Sequence, residues 1–98
     1  MLIIIVDFAV TPADAPLAQT TLDAEAPIVR ALAGNLGYSM WTHPHQTGSF
    51  RLMHEWSDAA SFDAYRASDG FRSVGAVLFP LMTGTPSSRV FVADPMAA

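Results

Sequence analysis

The sequence predicts one α+β domain in which a four-stranded antiparallel sheet carries helices on one face. Three observations indicate this fold class. Runs of β-branched and aromatic residues, typical of strands, open and close the 98-residue chain and occur twice in its middle. Two longer segments, with apolar residues at spacings of three and four, separate these runs as helices would. A chain of this length also has room for only one hydrophobic core.

The first half of the chain reads as strand, helix, strand. Residues 2–10, LIIIVDFAV, form the first predicted strand. From about Asp14, helical spacing predicts an amphipathic helix that ends at Gly34 and buries Leu17, Thr21, Ala24, Ile28 and Leu32. Pro27 lies inside this segment and removes a backbone donor, so we expect a kink or two shorter helices. Residues 36–43, LGYSMWTH, form the second predicted strand.

A hairpin and a second helical segment follow. The Pro and Gly of HPHQTG, residues 43–48, indicate a hairpin loop. Residues 49–56, SFRLMHEW, alternate apolar and polar side chains and form the third predicted strand. Ser57 is the predicted N-cap of a helix that runs to about Ala67.

The last third of the chain predicts one more helical segment and a strand. Asp69 and Gly70 are expected to interrupt the preceding helix, after which helical spacing resumes at Phe71, Val74, Gly75, Leu78 and Leu81. Residues 88–93, SRVFVA, form the last predicted strand. Residues 93–98 are expected to be a loose tail, so the single domain spans residues 1–98.

The order of these elements is that of the ferredoxin-like topology, with both helical segments on one face of the sheet. We expect the first and third strands to lie side by side and parallel at its centre. Ile3, Ile5 and Ala9 point to one side of the first strand, and the other side carries Leu2, Ile4, Val6, Phe8 and Val10. Leaving five large apolar side chains in water would cost on the order of 8 to 15 kcal/mol. A domain has about 5 to 15 kcal/mol of stability in total, so we expect a symmetric homodimer that packs sheet against sheet.

Composition excludes several classes of function. Five Lys and Arg stand against nine Asp and Glu, which gives a net charge of -4 and no basic stripe for nucleic acid or an anionic membrane surface. The chain has no cysteine, so disulfides and thiolate catalysis are excluded. The apolar run LIIIV has no basic leader and is far shorter than the roughly 20 residues of a membrane span. We therefore expect a cytoplasmic protein.

Three segments resemble the antibiotic biosynthesis monooxygenase family. They are GNLGY at residues 34–38, FRLMHEW at 50–56 and FDAYRASDGF at 62–71. They are similar to the family's Gly-x-x-x-Tyr, its strand that ends in an acidic residue and Trp, and its helix with spaced Phe, Ser and Phe. The resemblance implies a dimeric α/β barrel of two ferredoxin-like protomers, each with a pocket between sheet and helices. It also implies oxygen insertion into quinols or anthrones without metal, flavin or haem, so we expect no cofactor and a small aromatic partner.

The chain departs from this family pattern at positions that bear on chemistry. Leu52 stands where the anthrone oxygenases have Asn, and Ala76 where they have Arg. Gly75 stands where haem-degrading relatives place an iron-binding His. The first expectation is a cofactor-independent monooxygenase acting on a phenolic, quinol or anthrone-like substrate. Two alternatives stay open: a non-catalytic dimer that holds a small hydrophobic ligand, and an isomerase or dehydratase that uses His54 as a base.

His54 is the main catalytic candidate. Because strand side chains alternate, it shares a face with Phe50, Leu52 and Trp56, which the resemblance places toward the pocket. An imidazole with a pKa near 6.5 can exchange a phenolic proton at neutral pH. We expect Asp7 to contact His54 and fix its tautomer for acid–base work. The alternative is that the two residues form a purely structural pair.

The remaining candidates are substrate-binding residues. Trp56, Leu52 and Phe50 are expected to line the pocket from the third strand, and Phe62 and Tyr65 from the following helix. Arg72 would pair with an anionic substrate or else lie on a solvated helix face. Tyr38 and Trp41 lie on opposite faces of the second strand, so only one of them faces the pocket. His43 and His45 flank Pro44 but lack a nearby carboxylate or cysteine, so no metal site is expected.

Overall fold

A computed structural model describes residues 1–97 and has the predicted ferredoxin-like α+β architecture. Short 3-10 turns at Pro12–Asp14 and Phe79–Leu81 flank the first and last helices. The strands and α-helices are β1 (Leu2–Ala9), α1 (Ala15–Arg30), β2 (Asn35–Thr42), β3 (Ser49–Trp56), α2 (Ala59–Arg66), α3 (Asp69–Leu78) and β4 (Ser87–Val92). Every predicted strand is therefore present, within one or two residues of its expected bounds.

The sheet has the strand order β2-β3-β1-β4, and every pair of neighbours is antiparallel. β1 and β3 are the central strands, as predicted, but the prediction that they are parallel is wrong. The α1 crossover returns the chain so that β2 runs in the direction of β1, and the hairpin then reverses β3. β3 lies between the two, with Leu2 opposite Trp56 and Phe8 opposite Phe50.

The two faces of the sheet differ in their cover. The helices cover the face that carries the even-numbered residues of β1, including the buried Ile4 and Phe8. The five large apolar side chains predicted on this side of the first strand therefore lie under the helices. Three of them are buried, and Leu2 and Val6 are half-buried. The open face carries a mixed set of side chains: Ile3, Ile5, Asp7, Ala9, Trp41, Arg51, Met53, Arg89 and Phe91.

The buried face of α1 is rotated from the predicted one. The structure buries Ala18, Leu22, Glu25 and Val29. Leu17 and Ile28, expected in the core, are 50% and 58% exposed, so the predicted face is wrong by one residue, or about 100° around the helix. The helix is continuous, so the alternative of two shorter helices is also wrong. Pro27 lies in its last turn, and the helix continues through it to Arg30.

The boundaries of the later helices also differ from prediction. Asp58, not Ser57, caps α2: its carboxylate accepts from the backbone N–H of Ser61 at 2.7 Å. The break before α3 falls at 67–68, because the Ser68 hydroxyl accepts from the backbone N–H of Phe71 and caps α3. Asp69 and Gly70, predicted to form the break, lie in the first turn of α3.

The predicted loose tail is partly anchored. Ala93 exchanges two backbone hydrogen bonds with Met1, each 2.9 Å long. Residues 94–97 have no regular secondary structure, and Ala98 lies outside the described residues. The looseness of residues beyond Ala93 stays a prediction.

Candidate functional site

A cavity of about 140 Å³ lies between the sheet and its helices. Most of its lining is apolar, including Leu22, Leu52 and Leu78. The side chains that bring polar atoms to it are Tyr38, His54, Tyr65 and Ser88. Phe79, which is 57% exposed, and Ser88 are the two exposed residues of the lining, so the cavity opens beside them. The cavity suits a small, mainly apolar molecule with one or two polar groups.

A hydrogen bond between neighbours on β3 fixes the tautomer of His54. The indole N–H of Trp56 donates to Nδ1 of His54 at 2.7 Å, and both side chains lie on the covered face because they are two residues apart. An indole nitrogen only donates, so Nδ1 carries a lone pair. A neutral imidazole with an unprotonated Nδ1 carries its hydrogen on Nε2.

The surroundings of His54 keep its ring neutral. The residue is 5% exposed, and burial lowers the pKa of His54 to about 4. Aromatic rings enclose it, with centroids 5.6 Å away for Tyr38 and 5.8 Å for both Phe62 and Tyr65. Such a cage stabilises an uncharged ring because it offers no water to solvate the imidazolium.

The Nε2 atom of His54 is the ring nitrogen left to meet a molecule in the cavity. Among residues 1–97 it has no hydrogen-bond partner, yet no unpartnered side-chain nitrogen or oxygen is sealed from solvent. The ring lines the cavity, so Nε2 reaches it as an unoccupied N–H donor. At neutral pH the site thus presents a neutral donor, not a free base.

Two tyrosines extend the polar part of the cavity lining. Burial, helped by the charge of Glu25, raises the pKa of Tyr38 to about 12. Burial likewise raises the pKa of Tyr65, with the charges of Tyr38 and Glu25 adding to it. Both side chains therefore keep their hydroxyl protons at neutral pH. Tyr38 faces the cavity and Trp41 the open face, 61% exposed, which answers the question that the sequence left open.

Glu25 is a buried carboxyl that the sequence reasoning missed. It is only 5% exposed on α1, and burial raises the pKa of its carboxyl. The rotated helix face explains the oversight, because the predicted face placed this residue outside the core. A predicted helix face that included Ala18, Leu22 and Val29 would have placed Glu25 in the core as well.

The predicted contact between Asp7 and His54 is wrong. Asp7 lies on the open face, where its carboxylate accepts two hydrogen bonds from Arg51, at 2.7 and 3.0 Å. Arg89 approaches the same carboxylate at 3.8 Å. The hydrogen bonds from Arg51 hold the pKa of Asp7 below its usual range. Because Asp7 pairs with Arg51 and Ile4 with His54, alternation puts the two expected partners on opposite faces of the sheet.

The predicted substrate-binding residues divide into two groups. Leu52 and Tyr65 line the cavity beside His54. The other four do not line it. Trp56 is fully buried behind His54, and Phe62 packs on the rings of both. Phe50 stacks on Phe8 with ring centroids 5.2 Å apart.

Arg72 lies away from the cavity, on the exposed side of α3, where it donates to Asp69 at 2.6 Å. Of the two expectations for Arg72, the structure therefore has the solvated helix face and not a place beside the cavity. A larger hollow of about 600 Å³ lies on the other side of the sheet, near the β2–β3 loop, and includes Asp7, Trp41 and Arg51. It is wide and shallow, and it offers an ion pair that is already satisfied, so it is the weaker candidate for chemistry.

Within residues 1–97, no group of three or more His, Asp or Glu side chains is placed to hold a metal ion. Over the same residues, no helix combines the length and apolar character needed to cross a membrane.

Comparisons with solved structures agree with the fold. A protein of Deinococcus radiodurans, proposed to be an antibiotic biosynthesis monooxygenase, has a TM-score of 0.91 at 19% identity, covering 100% of this chain and 97% of its own. A Mycobacterium tuberculosis protein gives 0.89 at 21% identity, with 99% and 98% covered. One proposed family member from Caulobacter crescentus gives 0.84 at 20%, with 96% and 90% covered. At such identities the likeness shows the fold alone, and no curated protein matches the chain.

The family itself is shown by the sequence. A family model described as antibiotic biosynthesis monooxygenase matches residues 1–76, which is more than half of the chain. The chain therefore belongs to the antibiotic biosynthesis monooxygenase family.

Proposed function

We propose that the protein is a cofactor-independent monooxygenase that oxidises a small quinol or phenol in the cavity beside His54. The observation that carries this proposal is the neutral His54 ring, which lines an aromatic and apolar cavity and has its Nδ1 occupied by the Trp56 indole, so that Nε2–H is the donor left for a ligand. Membership of a family described as monooxygenases supports the reaction class. The pattern of one fixed donor in an apolar setting supports a substrate with an aromatic body and a reacting oxygen.

The cavity volume narrows the substrate class. A dry cavity of roughly 150 Å³ holds one benzene molecule. At about 140 Å³, this cavity therefore matches a single-ring quinol better than a three-ring anthrone. Hydroquinone is the simplest quinol with a single ring.

The proposed role of His54 differs from that of a general base. With a pKa of about 4 and Nδ1 already accepting from Trp56, the ring is a poor proton acceptor at neutral pH. As a neutral donor it stabilises negative charge that develops on the substrate oxygen. The phenolate form of a quinol is electron-rich and gives up electrons to dioxygen. The substrate supplies every electron needed: one oxygen atom enters the ring and the other leaves as water.

We also propose that the protein acts as a homodimer joined through the open face of the sheet. Ile3, Ile5 and Met53 on this face have no cover within the protomer. Phe91 of the edge strand β4 lies on the same face and is 43% exposed. An edge strand with uncovered apolar side chains favours association with a second copy.

A non-catalytic ligand-binding dimer is the second candidate. The observation that favours it is Leu52, which lines the cavity next to His54 on the same face of β3. This position is apolar here, whereas the resembling anthrone oxygenases have Asn. A protein with this lining would bind an aromatic molecule with fewer groups to activate it.

Oxygen consumption with hydroquinone tests the proposal. Wild type should consume oxygen well above the uncatalysed rate and release a hydroxylated quinone. His54→Asn should lower kcat/KM by about a hundredfold, since its amide oxygen can still accept from Trp56 but no donor reaches the Nε2 position. His54→Gln, whose amide nitrogen reaches further, should retain part of the activity.

His45→Gln is the matched control, because His45 is exposed in the β2–β3 loop. Binding of hydroquinone without oxygen consumption would favour the ligand carrier. Product formation without oxygen would favour an isomerase or dehydratase.

A further inference from the structure

We propose that the ring of Phe79 is the gate of the cavity, and that its seat on Gly75 restricts entry to quinols with a single ring. The identity of the entering molecule rests on the proposed function. Phe79 and Ser88 are the two exposed residues of the cavity lining, so a molecule that enters passes beside the Phe79 ring.

The seat of the ring is the backbone of α3. A Cβ atom placed on Gly75 would lie 3.0 Å from Cε2 and 3.2 Å from Cδ2 of Phe79. Carbon atoms that are not bonded to each other pack at roughly 3.5 to 4.0 Å, so the ring fills the space that a side chain at position 75 would need. The two residues are four apart, and aromatic side chains on a helix point back over the preceding turn, which brings the ring onto Gly75.

The role of Gly75 is to give room. Within residues 1–97, the glycines with positive φ are Gly34 and Gly48, so the helical backbone at Gly75 is one that alanine adopts as well. Glycine in a helix is less stable than alanine because it loses more conformational entropy on folding. The missing Cβ lets the Phe79 ring lie directly against α3. Gly75 therefore determines where the gate rests.

The backbone around Phe79 is held, while its ring is free to turn. The Phe79 N–H donates to the carbonyl of Gly75, and the Phe79 carbonyl accepts from the N–H of Met82 at 3.2 Å. Met82 forms a β-bridge with Val10, which ties this turn to the end of β1. Phe79 itself is 57% exposed, so few contacts restrain its side chain. The motion that opens the mouth is therefore a rotation of one side chain and needs no loop movement.

The size of the cavity makes this gate selective. At about 140 Å³, the cavity has room for one aromatic ring. A quinol with two fused rings would extend into the mouth, where the Phe79 ring lies against Gly75. Hydroquinone should pass after a small rotation of the ring, whereas naphthalene-1,4-diol should enter only when the ring leaves its seat.

Binding kinetics under nitrogen test the gate without turnover. In a Trp41→Phe background, Trp56 is the remaining tryptophan of the chain, and its fluorescence reports a ligand beside His54. Stopped-flow mixing then gives kon and koff. Phe79→Ala should raise kon for naphthalene-1,4-diol by about tenfold or more, because entry no longer waits for the ring to move. For hydroquinone, kon and koff should rise together and leave Kd within about twofold of wild type. Phe79→Leu should give intermediate rates.

Gly75→Ala tests the seat separately from the ring. The new methyl group displaces the ring, so kon for naphthalene-1,4-diol should rise several-fold toward that of Phe79→Ala. The same substitution in the Phe79→Ala background should have no further effect, since no ring remains to be displaced. Val77→Ala is the matched control, because Val77 is exposed on α3 and does not line the cavity. It should keep the wild-type rates.

The outcomes separate the gate from the proposed function. If Phe79→Ala changes only koff and leaves kon unchanged for both quinols, Phe79 is a wall of the cavity and the gate is wrong, while the proposed function stands. An effect of Gly75→Ala that persists without the ring would overturn the seat. Binding that depends on Phe79 but leads to no oxygen consumption would support the gate and contradict the proposed function. A wild type that binds neither quinol would contradict both.

Discussion

The indole N–H of Trp56 donates to Nδ1 of His54 at 2.7 Å, inside a cage of aromatic rings. The contact needs no loop or long-range packing, since two residues at period two on one strand bring the groups together. Its consequence is chemical: in the neutral ring, which burial favours, it puts the one hydrogen of His54 on Nε2. The aromatic residue described by the family pattern thus acts behind the site, on the orientation and tautomer of the histidine.

Trp56→Phe should remove the constraint on the tautomer. The change deletes a donor to a buried acceptor and reduces packing, so we expect a loss of roughly 2 to 4 kcal/mol in the free energy of unfolding. We also expect lower turnover of hydroquinone at saturating substrate, because part of the His54 population then carries its hydrogen on Nδ1. Urea unfolding and oxygen consumption measure the two effects. Trp41→Phe, a change at an exposed Trp, is the control.

The stability of the protein should depend on the ionisation of His54. Its folded pKa of about 4 lies below the value of about 6.5 in the unfolded chain, so the unfolded state binds a proton first as the pH falls. Stability should therefore be lost between pH 6.5 and pH 4, by about 3 kcal/mol in all. Glu25, whose pKa is raised, acts in the opposite direction above pH 4.5, and Asp7 and Asp58, whose pKa values are lowered, act only at lower pH.

Urea unfolding of wild type and His54→Asn across this range isolates the histidine. The difference between the two curves cancels the carboxyl contributions. Wild type should lose more stability than the variant as the pH falls from 7 to 4. Parallel curves would mean that His54 is not buried as a neutral ring.

The cavity should be expandable at Val74. This residue lines the cavity from α3 and is partly buried, so Val74→Ala should add room at a cost of about 1 to 2 kcal/mol in stability. We expect the variant to gain activity toward naphthalene-1,4-diol relative to hydroquinone. The ratio of the two kcat/KM values is the measurement. An unchanged ratio would show that the two-ring quinol is limited elsewhere.

The open face should control the oligomeric state. Ile5→Glu places a charge at the centre of that face without touching the covered core, so it should convert a dimer into a monomer. Sedimentation equilibrium at micromolar concentrations measures the mass. Leu17→Glu is the control, since Leu17 is half-exposed on α1, on the far side of the sheet. A wild-type mass of one protomer would contradict the proposed dimer.

Much of the fold followed from local pattern. The alternation in SFRLMHEW predicted the face shared by Leu52, His54 and Trp56, because a strand has only two faces. The same alternation placed Asp7 on the face opposite the even-numbered residues of β1. Combined with the antiparallel pairing of β1 and β3, it puts Asp7 and His54 on opposite faces of the sheet. The error came from assuming parallel central strands, although the predicted crossover helix and the β2–β3 hairpin together require antiparallel ones.

The helix face of α1 could not be read from composition alone. Two sets of positions one residue apart both have helical spacing, and the set with Leu17 and Ile28 contains more large apolar side chains than the set with Leu22 and Glu25. The structure buries the second set, whose Ala18 and Leu22 belong to the core cluster that contains Phe8 and Leu78. Burial of a carboxyl contradicts local hydropathy, and such contradictions are most common where a residue has a function.

The most direct test of the account is ¹⁵N NMR of the imidazole rings at pH 7, with and without hydroquinone under nitrogen. We expect His54 to show an unprotonated Nδ1 and a protonated Nε2, and hydroquinone to shift its Nε2 resonance while those of His43 and His45 stay in place. A proton on Nδ1, a charged ring at this pH, or a His54 signal that ignores hydroquinone would contradict the account.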